Sequence, residues 1–244
     1  MYKFSLYTTL VVLCLTKPLK SLEFYAAKCP NIAISGDLAK SHFMGLLELF
    51  RRAPPISDVS SLAEFIDRNA AFIAQKGIYE YSRARAGHYA KVLFREPEFQ
   101  AAADNSRWRA YPLGLAMVSE LVEGVLRPHA EDRRAALDRL IAISLSVFDR
   151  YPTPAVLSTE TWSQLRDELT HNLDLIGIHA VKAAKDIPIP FAEQYFQLMP
   201  IHEKLRTSEF PTIRNYLRVT MCNIHEEFSK RINAPALTQA VRAA

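Results

Sequence analysis

Beyond residue 57, apolar side chains recur at intervals of three and four along most of the chain, and that spacing admits one kind of regular structure. Leu62, Phe65, Ile66, Phe72 and Ile73 fall on one side of a wheel drawn at 100° per residue. So do Leu137, Leu140, Ile141, Leu145 and Phe148, then Trp162, Leu165, Leu169, Leu173 and Ile176, then Ile213, Leu217, Met221, Ile224 and Phe228. Only seven glycines serve 244 residues, well below the usual share of about 7%. That leaves little material for the tight turns of a sheet protein or for a phosphate-cradling loop. No strand pattern, repeat or low-complexity tract breaks the helical reading. The expectation is an all-α, single-domain, irregular helical bundle of about six to eight helices.

Punctuation residues divide the pattern. "RRAPPIS" precedes the first helix, and Ser61 with Glu64 three residues on has capping-box spacing. One long helix or two consecutive ones then run to about Arg95, with Gly77 as the weak point. Pro97 opens a short piece, "EPEFQAAAD", and Pro112 is expected in the first turn of a new helix ending near Arg127, before Pro128. Ser158 starts another helix. "KDIPIPFAEQYFQLMPIHEKLR" reads as a proline-broken connector, and the last long helix spans about Pro211 to Ile232.

The first 43 residues differ in kind. They hold five Lys and no Arg, whereas residues 44 to 244 hold six Lys and nineteen Arg. Three readings stay open for this leader. One is a start chosen too far upstream, the protein proper beginning at Met44. The second is a signal or anchor built on "SLYTTLVVLCL", which is too short to span a bilayer and lacks small residues for cleavage nearby. The third is an ordinary leader. It carries five basic against two acidic residues, so the body has 25 basic to 24 acidic. That balance argues against nucleic acid as a partner, because no excess charge is left to neutralise phosphates. Cys14 and Cys29 belong to the leader and Cys222 stands alone in the body, which excludes an internal disulfide there and points to a cytoplasmic address.

Candidate chemistry is sparse. Carrying the first apolar stripe forward brings Glu80 to the core edge, where Arg83 one turn on offers a structural ion pair; Arg85 faces water and His88 the boundary. Glu120 and Glu123, and Glu168 with His171, suggest a carboxylate-bridged metal, but both pairs fall opposite the apolar faces, with Arg127 a surface partner for Glu123. No metal or other cofactor is expected. On the last helix Arg214, Arg218 and His225 line one shoulder beside Cys222, and forked arginine donors there suit a small anion. The bland alternative is a solvated flank whose stems cover the core edge. Cys222 with His225 has nucleophile–base spacing, though a lone cysteine is more often a small apolar residue. His202 lies in the connector, where "HEKLR" is not the zinc-binding H-E-x-x-H. No G-x-S-x-G elbow is present.

"GIYEYSRARAGHYAKVLF", "SRWRAYPLGLAMV", the proline-broken connector and "FPTIRNYLRVTMCNIHEEF" together resemble an uncharacterised bacterial family of helical proteins, from Met44 to roughly Leu237. Some members carry a generic esterase label without an assigned mechanism. The resemblance therefore implies a helical fold and transfers no catalytic residue. Two functions follow as expectations. The first is a cytoplasmic binding or regulatory module with a small anionic ligand or a protein partner and no stable membrane span. The second is an esterase-type hydrolase using His202, Arg214, Arg218 and His225.

Overall fold

A computed structural model describes residues 54–200 and 209–243; the leader, Met44 and His202 lie outside the described residues. The order is α1 (Val59–Ala86), α2 (Ala90–Leu93), α3 (Pro97–Leu126), α4 (Arg133–Phe148), α5 (Thr159–Leu175), α6 (Ala192–Gln197), α7 (Phe210–Arg231) and α8 (Ala234–Ala243). Among the described residues there is no strand, only an isolated bridge between Ile56 and Ile232. The all-α expectation holds. No helix among the described residues is long and apolar enough to cross a membrane.

Helix α3 is the centre. From Ala110 to Val118 every residue is buried, and Leu121, Val122, Glu123 and Leu126 follow. A helix apolar around its whole circumference has to be enclosed by neighbours. Helix α1 runs antiparallel to it, α4 and α5 flank it, α7 packs on α1 and α3, and α8 lies on α4 and α3. The closest crossing is at Gly114, where an added Cβ would stand 2.7 Å from the Ala70 carbonyl oxygen. Helix α7 meets α1 through Phe65 and Phe228, whose ring centroids are 4.9 Å apart. The chain leading into α1 is tied to the end of α7: the Ile56 amide donates to Arg231 O at 2.9 Å, and Arg231 Nε donates to Pro54 O at 3.0 Å.

Several boundaries differ from the sequence reading. The cap of α1 is Asp58, whose carboxylate accepts from the Ser61 amide at 2.8 Å while Ser61 Oγ accepts from the Asp58 amide at 3.2 Å. Ser61 is thus the third helical residue of the box and not its cap. Pro112 does not open a helix but lies inside α3. A mid-helix proline costs about 3 kcal/mol. Burying Leu113, Leu115 and Met117 beside it, at roughly 1.5–3 kcal/mol each, outweighs that. Helix α8 was not anticipated. Pro235 forbids a continuous helix because its ring would meet the Arg231 carbonyl, and Asn233 restarts the chain by accepting from the Ala236 amide at 3.3 Å.

Gly77 is a slot and not a weak point. Helix α1 passes through it unbroken, and Tyr195 of α6 occupies the missing side chain's place, its hydroxyl donating to Ile73 O at 2.7 Å. A Cβ on residue 77 would lie 2.0 Å from that hydroxyl. Helix propensity alone would make Gly77→Ala stabilising by about 1 kcal/mol. The expected result is the reverse, a net loss of roughly 1–3 kcal/mol from overpacking and the displaced hydroxyl, measured by urea denaturation.

Candidate functional site

Glu80 and Arg83 do not form the expected pair. Both are exposed, and no ion pair joins them. The buried face of α1 winds round the helix as it passes from one neighbour to the next, so that Gly77, Ile78 and Ser82 are covered where the straight projection had placed Glu80 and Ala84. The Arg83 guanidinium sits 5.6 Å from the Phe94 ring centroid. Arg85 reaches Glu209 at 3.0 Å and so ties the end of α1 to the start of α7.

The shoulder of α7 does not converge on one point. Arg214 is exposed and stands 5.6 Å from the Phe210 ring centroid. Arg218 is engaged with the chain before α6, Nε donating to Lys185 O at 3.1 Å and Nη2 lying 3.7 Å from Asp186 Oδ1. His225 is exposed, and eleven residues from Arg214 it lies about 16 Å further along the axis. His202 is outside the described residues. Cys222 is exposed. Glu168 and His171 are exposed as expected, and no group of ligating side chains suited to a metal occurs among the described residues.

Two polar clusters emerge instead. In the first, Asp67 of α1 accepts from the Tyr111 hydroxyl at 2.7 Å and from the Tyr151 hydroxyl at 2.9 Å, with Arg150 Nη1 3.8 Å away. Trp108 packs edge-on against Tyr111, Tyr151 and Trp162. Burial, then the Asp67 charge and its hydrogen bond, push the Tyr151 hydroxyl up to about 12, and the same causes push Tyr111 higher still. With its carboxylate accepting from both hydroxyls and faced by Arg150, Asp67 is a knot joining α1, α3 and the end of α4. Tyr81 and Tyr216, on α1 and α7, have buried hydroxyls for which the described residues supply no hydrogen-bond partner. Glu209 lies beside the Tyr81 hydroxyl and Thr220 beside that of Tyr216. Burial is the first cause that raises both hydroxyls.

The second cluster lies where α3 ends. Glu123 is buried, contrary to the outward placement expected, because α4, α8 and the α5–α6 connector close over it. Arg127 Nε and Nη2 donate to its two carboxylate oxygens, each at 2.7 Å. The same guanidinium donates to Ile176 O at 3.2 Å and His179 O at 2.8 Å, holding the chain just beyond the end of α5. Glu120 is also covered, by Lys182 at 2.7 Å. Arg133 donates to Gly177 O at 2.6 Å and approaches Glu123 to 3.9 Å.

A shallow cleft, open on one side, runs from this charged end over Leu126, Leu137 and Leu140 and under Thr238 and Val241 of α8. Its enclosed part has room for about one water. Arg242 of α8 and Glu131 form a salt bridge nearby. The sequence signal for this site was the Glu123–Arg127 spacing. What hid it was α8, whose proline and short length gave no helix.

No family model, curated protein or solved structure matches the chain.

Two outcomes follow. Glu123→Ala strands Arg127 among carbonyls and should cost about 3–5 kcal/mol, whereas Glu80→Ala at an exposed position should stay within about 0.5 kcal/mol; thermal and urea unfolding read both. Raised tyrosine values contribute stability that is complete below the ordinary value near ~10 and is lost as pH rises through the folded-state values. The melting temperature should therefore fall steeply from about pH 10 toward 12, and folded protein should lag unfolded protein in the 295 nm tyrosinate absorbance.

Proposed function

We propose that this chain is a ligand-binding helical module whose site is the cleft between α3, α4 and α8, with α8 as the element that responds to occupancy. The observation that carries the reading is the cleft itself: an apolar floor, a charged end and a wall made by a separate short helix. Concave, mostly apolar sites with a few convergent polar groups are where small molecules bind. The response follows from length. Helix α8 has ten residues, fewer than the roughly 12–15 an isolated helix needs in water. Its helicity thus depends on Leu237, Thr238 and Val241 resting in the groove. A molecule that enters alters that support, and the change is felt at the end of the chain and not in α1 or α3.

Hydrogen exchange tests this. Amides of α8 should exchange by a local opening, faster than those of α3. Arg242→Ala, which removes the pair with Glu131, should speed α8 exchange severalfold and leave α3 unchanged. Exchange of α8 only through global unfolding, in both proteins, would sink the reading.

A further inference from the structure

Resting on that reading, we infer that the cleft takes a small monocarboxylate with an aliphatic tail, its carboxylate held by Arg133. The charged end contains two guanidinium groups and one carboxylate, a net charge of one positive. Arg127 is committed: it grips both oxygens of Glu123 and two backbone carbonyls. Arg133 is not. It gives one hydrogen bond, from Nη2 to Gly177 O, and its Nε is 3.9 Å from Glu123, too far for a second. Its side chain is 47% exposed, so the remaining donors are within reach of an arriving molecule. Other charges around the mouth are already engaged: Glu131 with Arg242, Asp132 with the Ala135 amide that it caps, Arg134 with Asp138.

A planar carboxylate matches the two donors an arginine offers side by side. A single negative charge balances the excess, while a doubly charged phosphate would bring a second charge toward Glu123 with nothing to neutralise it. Away from Arg133 the lining is mainly Leu126, Leu137, Leu140 and Val241, with the Thr238 hydroxyl already donated to Ala234 O, and it suits methylenes. The free protein encloses space for about a water, so the tail enters as α8 shifts about the non-helical Ile232–Asn233 link.

The test is calorimetric titration of the full chain with acetate, butanoate, hexanoate and octanoate, and with hexan-1-ol and hexylammonium as controls of matching length. Affinity should rise about fourfold per methylene until the cleft is full, and hexanoate should bind at least about tenfold tighter than either control. Arg133→Gln should remove that preference while leaving the unliganded melting temperature nearly unchanged. Val241→Trp, which fills the apolar part and leaves Arg133 in place, should abolish the dependence on chain length. If hexanol or hexylammonium binds as tightly as hexanoate, or Arg133→Gln binds hexanoate like the parent, the carboxylate assignment is wrong and the cleft still stands as a site. If no compound in the series gives saturable binding and none alters exchange of the α8 amides, both this inference and the function it rests on are overturned.

Discussion

Enclosure of α3 is the constraint from which the rest follows. A helix with apolar residues on every side gains by being surrounded, and five other helices supply the surround. That arrangement traps the two carboxylates on its last turns. Buried without partners, each would cost several kcal/mol. Their neutralisation recruits Arg127 from the residue just after the helix and Lys182 from the α5–α6 connector, and Arg127 then holds the carbonyls of Ile176 and His179. The connector, which has little regular structure of its own, is thereby fixed against the core by charges it did not need for its own folding. Arg218 fastens its far end. The charge left over at Arg133 is a by-product of the same arrangement.

Tyrosines set the position of α1 relative to its neighbours. Tyr111 and Tyr151 meet Asp67 near its start, Tyr195 meets the Ile73 carbonyl in its middle, and Tyr79 donates to Asp104 of α3 at 2.8 Å. Each brings a rigid ring and one directional bond, a combination that fixes register where aliphatic contacts alone would let a helix slide. Gly77 and Gly114 act in the complementary sense, by letting a ring and a backbone approach closely.

The helices containing the periodic sets were legible in the sequence, because a period of 3.6 over four turns has no competing explanation. The start of α5 at Ser158 was legible too, as a side-chain cap is a local event. The failures were non-local. Pro112 reads as a helix start until the packing that outweighs its cost is known. Glu80 was placed inward by projecting a straight stripe through a helix whose covered face rotates with its neighbours, and Glu123 was placed outward because nothing in its own helix announces α8. Of the candidate site, Arg127 and its spacing to Glu123 could be read, but not that Arg133, from another helix, shares the same corner. The α7 shoulder was a true helical strip, yet Arg218 within it serves the connector.

The link between the two ends of the described chain bears on its synthesis. Phe65 packs at a tilt against Phe228, Arg68 pairs with Glu227, and the Ile56 amide donates to Arg231 O. Helix α1 is made before α7, and the helix that covers this part of its apolar face emerges roughly 160 residues later, about 8–30 s at ordinary elongation rates. Until then an oily surface that the native state hides is open to whatever is nearby. Slowed translation between α1 and α7 would lengthen that exposure without changing a single native contact.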